Sequence, residues 1–336
     1  MTTVFDQALS PGAHNAIRVC LNVQPHERVT VIADRECEDI AASLVHEIEA
    51  VGAPHKTFIL EDVAPRPLTA LPAVIAADME LSQVSILAVH VQPNELKSRM
   101  QLTDIVNRRK MRHGHMVNIN RQMMLEGMRA DFHKVDRLSQ KVIDIVATAK
   151  EVRATTKGGS HFVATLDPNY KWIKTSGLIS PDKWGNLPGG EVFTTPGNVD
   201  GTLVIDGVVG DFLCEKFGSL RHSPLTLRVR DNRLVEAHSE NKELETDFWN
   251  YTHTDENSDR VGEFAIGTNI ELKQVIGHIL QDEKFPGIHV AFGDPYGAHT
   301  GARWSSSTHI DVVATRFDIW VDGRQIMSDG RFLIDD

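Results

Sequence analysis

Cysteine is scarce in this chain and follows no pattern. Its three residues, Cys20, Cys37 and Cys214, are odd in number, widely spaced and free of any Cys-x-x-Cys pair. That excludes a disulfide framework and a thiolate zinc site, and it points to a reducing, cytoplasmic setting. Positive charge is also in deficit: 35 Lys+Arg against 46 Asp+Glu give a net charge of −11. Phosphate backbones and anionic membrane surfaces are therefore disfavoured, and neither nucleic-acid nor membrane binding is expected. No apolar run approaches the roughly 18 residues needed to span a bilayer. The segment Met1-Thr2-Thr3-Val4-Phe5-Asp6 has no basic stretch leading into an apolar one, so export is not expected either. A glycine-rich phosphate loop is missing: Ala33-Asp34-Arg35-Glu36-Cys37-Glu38 places acids where a dinucleotide pyrophosphate would sit. Ser305-Ser306-Ser307 lacks the Gly-x-Ser-x-Gly elbow of a serine nucleophile and reads as a turn.

What is present is an alternation of strand and helix. Arg28 to Ala33 reads as a buried strand, Ile40 to Ala50 as an amphipathic helix ending at Gly52, and Lys56 to Leu60 as a second strand. Leu71 to Asp78 is a further helix, and Val84-Ser85-Ile86-Leu87-Ala88-Val89 and Met116-Val117-Asn118-Ile119 are further strands. Repeated β-α-β units imply a doubly wound parallel sheet. His113-Gly114-His115, just before the last of these strands, is too short a tract for a His-rich metal segment. Asp131 to Lys150 reads as a long helix, after which short strands with Gly, Pro, Asn and Asp turns take over. Val321-Asp322-Gly323-Arg324 has the Asp-Gly signal of a hairpin. The chain, at 336 residues, exceeds the size at which single cores stop growing, roughly 250–300 residues. The expectation is an α/β chain of two domains: residues 1–150 a Rossmann-like parallel-sheet domain without a nucleotide motif, and residues 151–336 a mixed α+β metal-binding domain.

The metal expectation rests on five residues. Thr308-His309-Ile310-Asp311-Val312-Val313 alternates with period two, so His309 and Asp311 share one strand face. His289, in the β-rich run Gly287 to Gly293, stands opposite Ile288 and Val290 and adds an imidazole. Two imidazoles and a carboxylate can hold a divalent ion and leave positions open for water or substrate. Glu191 and Glu263 each follow a glycine, and at Glu191 the preceding Gly189-Gly190 lets the backbone approach closely and aim the carboxylate. If both join, three carboxylates and two imidazoles suffice for two ions, which in such centres lie roughly 3.5–4 Å apart.

The chain resembles the thermophilic-type metallo-aminopeptidase family in an ordered set of motifs. These are Gly189-Gly190-Glu191-Val192-Phe193-Thr194, Gly262-Glu263-Phe264-Ala265-Ile266-Gly267, His289-Val290-Ala291-Phe292-Gly293 followed by Tyr296, and Ser306-Ser307-Thr308-His309-Ile310-Asp311. They cover the second half of the chain. The resemblance implies a pair of divalent ions (zinc, cobalt or manganese) on Glu191, Glu263, His289, His309 and Asp311, with Tyr296 close to a small peptide or amide substrate. It also implies an N-terminal α/β domain, a C-terminal domain of unusual fold enclosing the site, and homodimers. In that mechanism Glu191 or Glu263 shuttles the proton of the attacking water and Tyr296 donates a hydrogen bond to the developing oxyanion. A more distant resemblance is to the iron-dependent dioxygenases that open dihydroxypyridine rings. It implies a single ferrous iron on His289, His309 and Asp311, with the glutamates as outer hydrogen-bond partners and Trp184 and Trp304 stacking on the ring.

Overall fold

A computed structural model of the chain describes residues 5–334. The chain forms two compact units, residues 1–133 with 177–189, and residues 134–176 with 190–336. In chain order the first unit holds β1 (Val29–Ala33), β2 (His55–Ile59), β3 (Val84–Val89) and β4 (Arg112–Val117). The second begins with β5 (Glu151–Thr156), β6 (His161–Leu166) and β7 (Ile173–Thr175). The chain then returns to the first unit for β8 (Gly185–Asn186). The second unit resumes with β9 (Glu191–Thr194), β10 (Pro196–Ile205), β11 (Leu225–Arg230), β12 (Arg233–His238), β13 (Val261–Gly267) and β14 (Gly287–Gly293). It ends with β15 (His309–Val313), β16 (Phe317–Val321), β17 (Arg324–Ser328) and β18 (Arg331–Phe332).

The first unit is a parallel sheet in the order β2-β1-β3-β4-β8. Every residue of β1 and β3 is buried, which is why these strands read as unbroken apolar runs rather than alternating ones. Thr30, the polar residue within β1, bonds Asp78 (2.8 Å) and Ser82 (2.8 Å). The helix Glu38–Val51 ends where Gly52 takes the left-handed conformation at φ 84°. Beyond the end of β1, Asp34 accepts from the backbone N–H groups of Cys37 (3.0 Å) and His90 (2.6 Å) and from the Arg66 guanidinium (3.0 Å). Burial alone would raise this carboxyl, but those donors hold it down at about 2. A carboxylate and guanidinium network thus occupies the strand ends where a doubly wound sheet reverses its order.

His113 and His115 lie within β4 rather than before it. Their rings are 3.1 Å apart at His113 Nε2 and His115 Nδ1, Ser85 Oγ reaches His113 Nδ1 at 2.8 Å, and Trp184 packs edge-on and tilted against them. Burial pushes His113 well below its ordinary value and His115 to about 3, so both imidazoles are neutral parts of a polar-aromatic core.

The second unit stacks two antiparallel sheets. One runs β12-β11-β10-β6-β5-β16-β17-β18 and the other β15-β14-β13-β9-β7. A single apolar cluster joins Val152, Phe162, Leu203, Leu227 and Ile319 of the first to Val192, Phe264, Val290, Ile310 and Val312 of the second. The helix Phe132–Val146 contributes Leu138, Val142 and Val146 to this same cluster. The compact units accordingly divide at 133/134 rather than near residue 150, since the apolar stripe of the helix is buried in the second core. The hairpin between β16 and β17 turns through Asp322 (φ 46°) and Gly323 (φ 84°), the pair of positive φ angles that an Asp-Gly turn supplies. Among the described residues no helix is long and apolar enough to cross a membrane.

The His113–His115 pair predicts a pH-dependent stability in the first unit. Both folded pKa values lie below the unfolded value of about 6.5, so the unfolded chain takes up protons first. Their contribution is complete above about pH 6.5 and is lost progressively as pH falls below it, by up to about 1.4 kcal/mol per pH unit for each. Hydrogen exchange of the β4 amides, corrected for intrinsic rates, is expected to show weaker protection at pH 5.5 than at 7.5. Equal protection at the two pH values would mean that the imidazoles are not held neutral.

Candidate metal centre

The site is built on the outer face of the β15-β14-β13-β9-β7 sheet. Side chains alternate between faces, so while Phe264, Ile266, Val290, Phe292, Ile310 and Val312 enter the core, Glu263, His289, His309 and Asp311 stand on the opposite side. The registers set their spacing. Glu263, Ala291 and Asp311 lie abreast on three adjacent strands, and Phe193, Ala265, His289 and Val313 lie abreast in the neighbouring row. Alanine between functional side chains leaves room above the sheet that a larger residue would fill. Glu191 opens β9 after Gly190, whose φ is 132° and whose added Cβ would lie 2.6 Å from Asn269 Cβ. No other residue fits that close approach, and it fixes where the Glu191 carboxylate starts.

The five ligand candidates read from the sequence converge. His289 Nε2 lies 3.4 Å from Glu191 Oε2, 3.4 Å from Glu263 Oε1 and 4.0 Å from Asp311 Oδ1. His309 Nε2 lies 3.8 Å from Glu263 Oε2 and 3.6 Å from Asp311 Oδ1. The other nitrogen of His309, Nδ1, is 2.9 Å from the Asp294 carbonyl, which can only accept, so Nδ1 carries a proton and Nε2 is the nitrogen that faces Glu263 and Asp311. Tyr296 sits at φ 49°, its N–H bonded to Asp294 Oδ1 (2.9 Å) and its ring tilted over His309 at 4.3 Å between centroids. It remains 43% exposed, unlike the ligands beneath it.

Three participants have no signature in the sequence. Lys284, only 1% exposed, places Nζ 2.6 Å from Glu191 Oε1 and 2.5 Å from Glu283 Oε1. Thr175 Oγ1 donates to the same Glu191 oxygen at 2.8 Å. Asp282-Glu283-Lys284 reads as a solvated charged turn, and only the fold folds it inward.

The electrostatics call for cations. Glu191, Glu263, Glu283 and Asp311 crowd around two imidazoles, with the Lys284 ammonium in contact with Glu191 and Glu283. Burial alone would lower the imidazole values, but Glu263, Glu191 and Asp311 raise His289 to about 9, and Asp311 and Glu263 raise His309 to about 10. Burial among like charges pushes Glu263 up, and Glu283 to about 8. His289 Nε2 is nevertheless a buried nitrogen with no hydrogen-bond partner. Donors about 2.1 Å from a tetrahedral ion are about 3.4 Å from one another, which is the spacing observed around His289. Three overlapping ligand groups emerge, Glu191–Glu263–His289, Glu263–His309–Asp311 and Glu283–His289–Asp311, and the first two share Glu263. The residues fit divalent metal.

The aromatic and serine candidates are engaged elsewhere. The Trp184 indole N–H bonds Asn107 (3.1 Å) in the first unit. Trp304 is covered by the Arg260 guanidinium, 4.2 Å above its ring. Ser306 and Ser307 hydroxyls bond Asp255, at 3.0 and 2.7 Å, and shape the turn into β15.

A model of the thermophilic metalloprotease (M29) family matches residues 125–331. Among solved structures, wild-type AmpT from Thermus thermophilus superposes with a TM-score of 0.74, covering 98% of this chain and 100% of that one at 17% identity. The 2,5-dihydroxypyridine dioxygenase from Pseudomonas putida KT2440 superposes with a TM-score of 0.70 over 98% of each chain at 15% identity. At these identities the likeness is one of fold. No curated protein sequence matches the chain.

Two substitutions test the arrangement. Asp311→Ala is expected to remove at least one equivalent of bound metal per chain, read by elemental analysis after dialysis. Ala291→Val suits a strand and should leave the circular dichroism spectrum unchanged, yet its methyls enter the space between Glu263 and Asp311 and should weaken metal binding by about tenfold or more. Normal metal content in both variants would remove this sheet face from the metal site.

Proposed function

Because the chain belongs to the thermophilic metalloprotease (M29) family, in which divalent metal and a peptide substrate are implied, we propose that it is an aminopeptidase-like hydrolase of short peptides or small amides. Its centre in this reading is two divalent ions, zinc, cobalt or manganese, on Glu191, Glu263, His289, His309 and Asp311. The observation that carries it is Glu263, whose two oxygens face different imidazoles, Oε1 towards His289 and Oε2 towards His309. A carboxylate split in that way suits a bridge between two ions and is wasted on one. The second unit, residues 134–176 with 190–336, would form the catalytic domain and the first unit its nucleotide-free α/β companion. Homodimeric assembly and a cytoplasmic location complete the reading, with Cys20, Cys37 and Cys214 all buried and in no disulfide.

Bound divalent ions supply polarisation of the scissile carbonyl and a water whose pKa is brought towards about 7. The chain's own residues do the rest. His309 keeps its proton on Nδ1 against the Asp294 carbonyl, so Nε2 remains a ligand throughout. A ligating carboxylate can take up the proton of water only on an oxygen that it frees. In Glu191, Oε1 already accepts from Lys284 and Thr175, and in Glu263 both oxygens face imidazoles, so either glutamate would take that proton only by giving up one of these contacts. Tyr296 rises beside His309 on a backbone held in the left-handed region, a strained placement of the kind that accumulates at functional sites, and its hydroxyl is the donor for the developing oxyanion.

The test is metal reconstitution of chelated protein, followed by release of N-terminal residues from short peptides and aminoacyl amides. Two zinc, cobalt or manganese ions per chain with hydrolysis support the reading; a single iron with oxygen uptake on a hydroxylated pyridine, and no hydrolysis, would replace it. Tyr296→Phe is expected to lower kcat by about 10–100-fold with little change in KM or metal content. An unaltered kcat would take the hydroxyl out of the mechanism.

A further inference from the structure

Lys284 is the most deeply buried cation beside the site, and its position is fixed from both sides. Its carbonyl accepts from Asn269 N–H (3.0 Å) and its N–H donates to the Gln281 carbonyl (3.0 Å). At Gly267 an added Cβ would fall 2.0 Å from the Phe285 carbonyl oxygen, so the backbone beside Lys284 presses directly on β13. Gly267 is the register partner of Glu191, which brings Nζ over the Glu191 carboxylate. Burying an ammonium costs several kcal/mol unless it is well paired, and here Glu191 and Glu283 both pair with it.

The consequence falls on Glu191. Oε1 accepts from Lys284 Nζ and from Thr175 Oγ1, which uses both of its lone pairs, while Oε2 faces His289 Nε2 at 3.4 Å. We propose that Lys284, braced by Glu283, is a positioning residue that holds Glu191 by one oxygen and offers only the other to a divalent ion shared with His289 and Glu263. A Glu191 released from this hold can turn both oxygens to the ion and occupy a coordination position that the reaction needs open. The inference rests on the two-ion reading above.

Cobalt(II) is the probe, loaded into chelated full-length protein, because the intensity of its visible bands falls as coordination number rises. Lys284→Met is expected to lower the absorptivity per cobalt by roughly twofold, or to cost one cobalt equivalent while the other is kept. Where activity is measured, kcat should fall by about 10–100-fold with KM little changed. Lys284→Arg, which keeps a donor and a charge, should recover part of the spectrum. Thr175→Val removes the other donor to the same oxygen without altering the charge, so it should shift the spectrum in the same direction and less. It also serves as the test if Lys284→Met fails to fold. A wild-type spectrum and two bound cobalt ions in the variants would overturn the positioning role and leave the two-ion reading intact. Loss of both ions from a folded variant would overturn it too, by making Lys284 a general support of the cluster. Fewer than two cobalt ions in the wild-type protein would instead bring down the two-ion reading itself.

Discussion

Buried negative charge is the constraint to which the second unit answers. Three carboxylates on one face of a five-stranded sheet, joined by Glu283 from the turn before β14, crowd two imidazoles, and the same sheet's opposite face is committed to a continuous apolar core. Neither half of that arrangement stands without the other. The strands are held in register by their core residues, and the register is what places Glu263, Ala291 and Asp311 abreast. In turn, so many acids in contact are tolerable only where cations meet them, whether protons on the imidazoles, the Lys284 ammonium or bound metal.

The first unit resolves a similar problem with fixed hydrogen-bond donors. At the end of β1, Asp34 is satisfied by backbone N–H groups and by Arg66, which also binds Glu95, Glu61 and the His90 carbonyl. Every oxygen of that carboxylate has a fixed donor. The contrast with His289 Nε2, a buried nitrogen without one, separates a network that is complete in itself from one that awaits an ion. Both are groups of acidic and imidazole side chains within a few ångströms, and only their hydrogen-bond accounting tells them apart.

Much of this could be read before any coordinates. The period-two alternation of 308–313 put His309 and Asp311 on one face, because strand geometry leaves no other choice. Repeated β-α-β units announced the parallel sheet, and the Asp-Gly pair at 322–323 its hairpin. The glycine before Glu191 was legible as a close approach, though not what it approaches, since Asn269 is remote in sequence. Lys284, Glu283 and Thr175 were invisible for a physical reason: a charged turn and a strand-end threonine carry no periodicity, and their importance comes from contacts with Glu191 across long stretches of chain. The boundary expected at residue 150 put the helix Phe132–Val146 in the first domain, because an amphipathic stripe says that a helix packs and not on which core.

An ammonium tethered to the backbone differs from a metal in one respect that bears on life in a cell: no chelator can extract it and no competing ion can displace it. When divalent metal is scarce, Glu191 and Glu283 keep a partner that Glu263 and Asp311 must obtain from protons. The half of the cluster nearest Lys284 is therefore held in place by the chain itself, with no ion required.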